Sequence, residues 1–225
     1  TGTGLAELVE HAAAVAGIER IRLGSLDPDM LTDDDIRRLA AVPKLCPQFH
    51  LSLQSGSSKT LRAMRRPYTT EQYAAVAAKL REAFGEENVS ITTDVIVGFP
   101  GETEQHQEET LAFLKKARFS DAHIFPYSRR PGTPADKMDG QTDRATKAKR
   151  SKQARTVVAE TRRAFLESMI GKTLPVLFET REGECWQGHS DNYLEVRAPG
   201  ENLRGTVQNV RINSVLDGIL VGNVI

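Results

Sequence analysis

Cysteine is scarce in this 225-residue chain, which contains only Cys46 and Cys185. Two thiols make no disulfide framework, so a reducing cytoplasm is the expected setting, with both side chains simply packed. No apolar run approaches the roughly 18 residues that span a bilayer, and the opening TGTGLAELVE lacks the charged-then-apolar layout of a secretory signal. Phosphate loops of the GxxxxGK[ST] or GxGxxG type are absent. So is the GxSxG elbow of hydrolases. The five histidines, His11, His50, His106, His123 and His189, show neither HExxH nor paired zinc spacing. A lone histidine in an apolar strand, such as His123, reads more simply as structural. Net charge is lacking too: 30 basic residues balance 30 acidic ones, which argues neither for nor against a polyanion partner. What remains is an ordinary globular mix, 39% hydrophobic and 27% charged.

The charge is nevertheless unevenly spread. From Arg144 to Arg163 the basic residues are Arg144, Lys147, Lys149, Arg150, Lys152, Arg155, Arg162 and Arg163, with Glu160 the sole acid. Such a segment suits either a solvated helix face or a nucleic-acid contact.

The first 130 or so residues alternate strand and helix patterns. Leu5, Leu8, Val9, Ala12 and Val15 keep helical spacing up to Gly17, and Ile18 to Leu26 then alternates as a strand. Thr32 with Asp35, and Thr69 with Gln72, form capping boxes that open helices, the second stopped by Gly85. Gln48 to Gln54 reads as a strand, and the nearly continuous apolar run Ser90 to Phe99 as a strand buried on both faces. Thr103 opens a helix through Lys116, and Ala122 to Tyr127 is a further strand. Repeated βαβ units predict a parallel sheet, with too few strands to close an eight-stranded barrel. Thr142 opens a long basic helix, residues 142–170, capped by Gly171. Beyond it, about five short alternating strands separated by turn residues suggest a small barrel of the OB type, often used on nucleic acid. The predicted fold class is α/β, a partial (β/α) barrel over 1–170, followed by a small all-β barrel over 171–225.

Ligands of parallel α/β sheets sit at the C-terminal strand ends. Those ends carry Ser25-Leu26-Asp27-Pro28, Ser52 with Gln54 to Ser57, Thr92 to Asp94 with Gly98-Phe99-Pro100-Gly101-Glu102-Thr103, and Pro126-Tyr127-Ser128-Arg129-Arg130. Each has a plain alternative as a tight turn, an N-cap or a solvated loop. Together on one face, they suit an amphiphilic cofactor with an adenine, a ribose and a zwitterionic amino acid.

Several strings carry a resemblance. RIRLGSLDP, FHLSLQSGS, LRAMRRPYTTEQY, ITTDVIVGFPGETE and HIFPYSRRPGTPADKM occur in this order, and IGKTLPVLFE with NYLEV follows. The chain thereby resembles radical-SAM tRNA methylthiotransferases, and its end resembles their TRAM domain. RIRLGSLDP and HIFPYSRRPGTPA are most similar to the branch acting on threonylcarbamoyladenosine beside the anticodon. Ser57 stands where that branch often carries cysteine. The alternatives are the isopentenyladenosine branch, the ribosomal-protein branch, and a non-catalytic RNA-binding protein. The resemblance implies S-adenosylmethionine and two [4Fe-4S] clusters in the full-length protein. It also implies a tRNA partner bound at the anticodon stem-loop. A radical from S-adenosylmethionine abstracts hydrogen at C2 of the adenine, and a methylated sulfur is inserted there. The fold must then keep that radical from water.

On the matching positions, Ser25, Ser52, Gln54, Thr93 and Asp94 are expected in the barrel lumen near S-adenosylmethionine, with Gly98, Phe99, Pro126 and Tyr127 around its adenine. Arg129, Arg130, Lys172, Arg197, Arg204 and Arg211 are candidates for tRNA phosphates. Trp186 and Tyr193 are candidates for stacking on bases, with core packing as the alternative. The sequence departs from the family by lacking CxxxCxxC, and Thr1-Gly2-Thr3 resembles the middle of a family strand. About the first half of a family member is therefore expected to be missing, leaving these residues with no cluster and no catalysis of their own. An open half-barrel exposes strand edges, so low solubility or dimerisation through that edge is expected. A well-behaved monomer in sedimentation would count against this.

Overall fold

A computed structural model describes residues 4–225, so the strand expected around Thr1 to Thr3 lies outside the described residues. Four parallel strands, β1 (Ser25–Leu26), β2 (Gln48–Leu51), β3 (Ser90–Val97) and β4 (Asp121–Pro126), lie side by side in chain order. Helices α1 (Leu5–Ala14), α2 (Asp33–Ala40), α3 (Ser58–Ala63), α4 (Thr70–Phe84), α5 (Glu104–Ala117) and α6 (Arg144–Glu167) complete this region. Helices α1, α2, α4, α5 and α6 form one layer in that lateral order, and α6 packs on β4. Phe49, Leu51, Ile91, Val95, Val97 and Ile124 face this layer and join Tyr73, Leu80 and Leu114 in the core. Alternation along β3 leaves Thr92, Asp94 and Ile96 half-buried on the opposite face, the wall of an open lumen.

The helix starts follow side-chain chemistry. Thr32, Thr69 and Thr103 each accept from the backbone of the third residue on, which bonds back, and so satisfy amides that a first turn leaves bare. Helix α6 starts one residue later than its pattern suggested, because Asp143 rather than Thr142 caps it, accepting from Thr146 N at 2.9 Å. Two further expectations needed correction. The strand expected over 18–26 pairs only at Ser25–Leu26, apart from an isolated bridge between Ile21 and Leu45. Among the described residues it is the last strand of the sheet and has one neighbour, so a broken ladder costs it few bonds. Helix α3 was not anticipated in the serine-rich turn after β2.

The C-terminal strands, β5 (Thr173–Glu182), β6 (Cys185–Ser190), β7 (Glu195–Pro199), β8 (Val207–Leu216) and β9 (Ile219–Val224), close a barrel in the order β5-β6-β7-β9-β8. All neighbours are antiparallel except β7 and β9, which run parallel. Gly188 permits the close crossing of β6 over β5, since a Cβ there would lie 2.0 Å from the Leu177 carbonyl oxygen. Val176, Phe178, Val196, Val210, Ile212 and Leu220 fill the barrel, and Leu166 and Met169 at the end of the long helix plug it. The barrel is seated by polar contacts: Arg20 donates to Pro175 O at 2.9 Å, Asn192 to Asn88 O at 2.9 Å, and Arg162 to Gly218 O at 3.0 Å.

One buried ion pair ties the sheet to α6. Arg150 donates to Glu102 Oε1 at 2.8 Å and to its carbonyl at 3.0 Å, with side chains 6% and 2% exposed. Burial pushes the Glu102 carboxyl up, opposed by the Gly98 N–H at 2.8 Å and by Arg150 itself. Truncating one partner strands the other charge, so Arg150→Ala is expected to cost about 3–5 kcal/mol of unfolding free energy, read by urea denaturation.

Candidate functional site

The lumen has two polar regions, one at each end of the strands. At the C-terminal mouth a cavity of about 540 Å³ is walled by Ile96, Phe99, Met64 and Met138, with Gln54, Thr133, Arg65 and Arg66 as polar members. Gln54 follows β2 and holds a positive φ of 69°. Its N–H donates to Asp94 O at 2.8 Å, and its carbonyl accepts from Ile96 N at 2.9 Å. The neighbouring strand thus holds a conformation that is unfavourable for glutamine, at a cost on the order of 1 kcal/mol. Gly98 ends β3 at φ 72°, and a Cβ there would meet Lys147 Cγ at 2.3 Å. Lys147 Nζ donates to Tyr127 O at 3.1 Å, and the Tyr127 ring stands edge-on to Phe99 with centroids 5.3 Å apart. Among the described residues the Tyr127 hydroxyl is buried without a hydrogen-bond partner.

The second region lies about 13 Å lower, roughly four residues of strand rise. Ser25, His50, Thr92 and His123 line a cavity of about 410 Å³ there, closed by His189 and Tyr193 of the C-terminal barrel. His50 Nδ1 is 3.0 Å from Thr92 Oγ1, and His50 Nε2 is 3.3 Å from Asp94 Oδ2.

The residues singled out by sequence therefore separate. Gln54 and Phe99 line the mouth, while Gly98 packs on Lys147 and Tyr127 against Phe99 outside the cavity lining. Ser25 and Asp94 belong to the lower region, and Ser52 shares the lumen face of β2 between the two. Thr93 is a correction: it is fully buried on the helix side, donating to Leu51 O at 2.6 Å and accepting from Leu53 N at 2.9 Å. The period of two that puts Thr92 and Asp94 in the lumen turns Thr93 away from it. Pro126 is also displaced from the mouth, lining a surface groove with Ser151 and Arg155 of α6.

Among the cations, Arg130, Arg204 and Arg211 are exposed. Arg129 is exposed but clasps Asp136 at 2.9 Å. Arg197 pairs with Glu182 at 2.9 Å, and Lys172 donates to Glu87 O at 2.9 Å. Lys172 thus braces the barrel against the sheet instead of presenting a free charge. Trp186 is 8% exposed and donates to Gly200 O at 3.1 Å, so it packs the barrel core instead of offering a face to a base. Tyr193 is exposed at its rim, yet both ring faces are covered: His189 stacks at 4.5 Å and the Arg22 guanidinium lies 3.5 Å from the ring centroid. Sequence reasoning missed Met64 and Met138 at the mouth and the grouping of His50 with Asp94 and His123. The strand alternation was the available signal for the grouping, but registry was needed to use it.

The mouth fits an adenosine-bearing, amphiphilic cofactor: apolar walls, a glutamine amide, a threonine hydroxyl and two arginines for a carboxylate. An iron–sulfur cluster does not fit the residues present, because Cys46 is buried just ahead of β2 while Cys185 begins β6. Two thiols on different domains cannot form a cluster's ligand set.

The radical SAM superfamily model matches residues 1–114. A tRNA-2-methylthio-N(6)-dimethylallyladenosine synthase of Maricaulis maris is 41% identical over 98% of this chain and 49% of its own length. The enzyme so named in Acetivibrio thermocellus is 36% identical over 100% of the chain and 47% of its own length. The one in Mycobacteroides abscessus is 42% identical over 79% and 35%. The chain thus spans about half the length, or less, of these curated relatives. Coproporphyrinogen III oxidase from Escherichia coli, described as a radical SAM enzyme, superposes with a TM-score of 0.55 at 15% identity, covering 83% of this chain and 50% of that one, a likeness of fold. The threonylcarbamoyladenosine expectation is overturned here, since these relatives bear the name of the dimethylallyladenosine reaction. Short strings at two strand ends had outweighed similarity spread over the whole chain.

Thr93→Val tests the corrected placement. It keeps the shape but takes from Leu53 N–H its acceptor, while Leu51 C=O keeps the Tyr73 hydroxyl at 2.8 Å, so about 1–3 kcal/mol of stability is expected to be lost in thermal or urea unfolding. Ligand affinity at the mouth is expected to stay unchanged.

Proposed function

Since the chain belongs to the radical SAM superfamily, we propose that it supplies the S-adenosylmethionine-binding wall and the RNA-facing barrel of a tRNA methylthiotransferase acting on N6-dimethylallyladenosine. The observation that carries this reading is the 41% identity sustained over 98% of the chain with an enzyme of that name. S-adenosylmethionine, when bound, is the source of both the radical and the methyl group of such chemistry.

This chain's own part is positional. Ile96, Phe99, Met64 and Met138 exclude water from the mouth, which a reactive carbon radical requires. The Gln54 amide and the Thr133 hydroxyl are the uncharged polar groups of the cavity lining and are assigned to hydrogen bonds with an adenosine. The helix-side ion pair of Glu102 and Arg150 holds the loop that carries Gly98 and Phe99. The C-terminal barrel, with its β5-β6-β7-β9-β8 order, is read as an OB-like TRAM domain. Arg130 at the mouth and Arg204 and Arg211 on the barrel are assigned to tRNA phosphates, which position the RNA without reading its sequence.

Two measurements test the reading. Calorimetric titration with S-adenosylmethionine should show binding that weakens at least about tenfold, some 1.4 kcal/mol, in Gln54→Ala and Phe99→Ala. Deleting the gene in its source strain should abolish 2-methylthio-N6-dimethylallyladenosine in digested total tRNA and accumulate the unthiolated nucleoside. An unchanged nucleoside profile would overturn the assignment.

A further inference from the structure

We propose that the lower lumen holds a divalent metal site of the zinc class, formed by His50, Asp94 and His123 from three adjacent strands. The three side chains project from β2, β3 and β4, and Asp94 and His123 are direct partners in the parallel register. One donor atom from each lies within 4.8 Å of the others. His50 Nε2 and Asp94 Oδ2 are 3.3 Å apart. That separation is the edge of a tetrahedron whose centre binds each ligand at about 2.0 Å, the usual zinc distance. The contact lacks hydrogen-bond alignment, and among the described residues His50 Nε2 is a buried nitrogen with no hydrogen-bond partner.

The surroundings prepare His50 as a ligand. Its Nδ1 meets the Thr92 hydroxyl at 3.0 Å, and Gln48 Nε2 donates to that same hydroxyl at 3.3 Å. With Nδ1–H given to Thr92, the lone pair belongs to Nε2 and faces Asp94, the outer-shell arrangement that orients metal-bound imidazoles. His123 is exposed on the open side, its ring centroid 6.1 Å from that of His50 at an interplanar angle of 27°, so it closes on an ion by a rotamer adjustment. The cations lining this cavity are otherwise engaged. Arg162 pairs with Asp121 at 3.1 Å, and Arg22 lies on the Tyr193 ring. Two imidazoles and one carboxylate select zinc, cobalt or ferrous iron over magnesium or calcium. Three protein ligands leave a fourth position toward the cavity of about 410 Å³, for water or a small donor. The site is separate from the mouth and independent of the function proposed above.

The test is metal titration of the chelator-stripped chain. Co²⁺ is expected to bind once per chain with visible d–d absorption, and Zn²⁺ to displace it. His50→Ala, Asp94→Asn and His123→Ala should each weaken binding at least about tenfold, and Cys185→Ser should not. Because His123 is exposed, His123→Ala is expected to melt at the wild-type temperature without metal, and only the wild type should gain Tm on adding Zn²⁺. Absence of stoichiometric binding would overturn the proposal. So would binding that survives all three substitutions but is lost in His189→Ala, which would place the ion at the His189–Glu179 pair.

Discussion

The contact between Glu102 and Arg150 ties the loop after β3 to the long helix that leads into the C-terminal barrel. Glu102 sits in the turn after β3, where its carboxylate receives the Gly98 N–H and the Arg150 guanidinium in a place almost without water. That geometry fixes the loop bearing Gly98 and Phe99, and so the wall of the mouth cavity. It also anchors the first half of α6, whose far end plugs the C-terminal barrel through Leu166 and Met169. A carboxylate desolvated to this degree is tolerated because it receives both the Gly98 N–H and the Arg150 guanidinium. The mouth and the seat of the small barrel therefore depend on the same pair.

Alternation along the strands divides the labour in the sheet. One face is apolar and welds to the helix layer, and the other is polar and stays open as a lumen. Residues one apart in sequence consequently have unrelated tasks. Thr93 holds Leu51 and Leu53 inside the core, while Thr92 and Asp94 stand in the lumen beside His50. The two polar regions of that lumen differ in kind. The mouth is mostly apolar with a few hydrogen-bonding groups, as suits a nucleoside-like ligand. The lower region is dense in imidazole and carboxylate, and the C-terminal barrel forms its floor.

Much of this was legible from residue order. The capping boxes at Thr32, Thr69 and Thr103 marked helix starts because a threonine and the third residue on satisfy the same bare amides wherever they occur. The apolar run Ser90 to Phe99 announced a strand, and the turn residues after Gly171 announced a small barrel. Less legible was β1, because an edge segment can alternate like a strand and still pair over only two residues. Helix α3 hid in a serine-rich turn, whose residues suit caps and bends as well as a short helix.

Local order alone determined the α/β class of the first region and the glycine- and proline-bearing turns at its strand ends. Each depends on interactions only a few residues long. The tertiary structure decided which face each polar residue occupies and which charges are already engaged. Lys172 is a brace, Trp186 is core and Tyr193 is covered on both faces, and none of that is visible in the side chain's type. It also decided that His50, Asp94 and His123 meet, since they are 44 and 29 positions apart along the chain and become neighbours only through parallel strand registry. Registry is set by the packing of whole strands against helices, a cooperative outcome that no local pattern encodes.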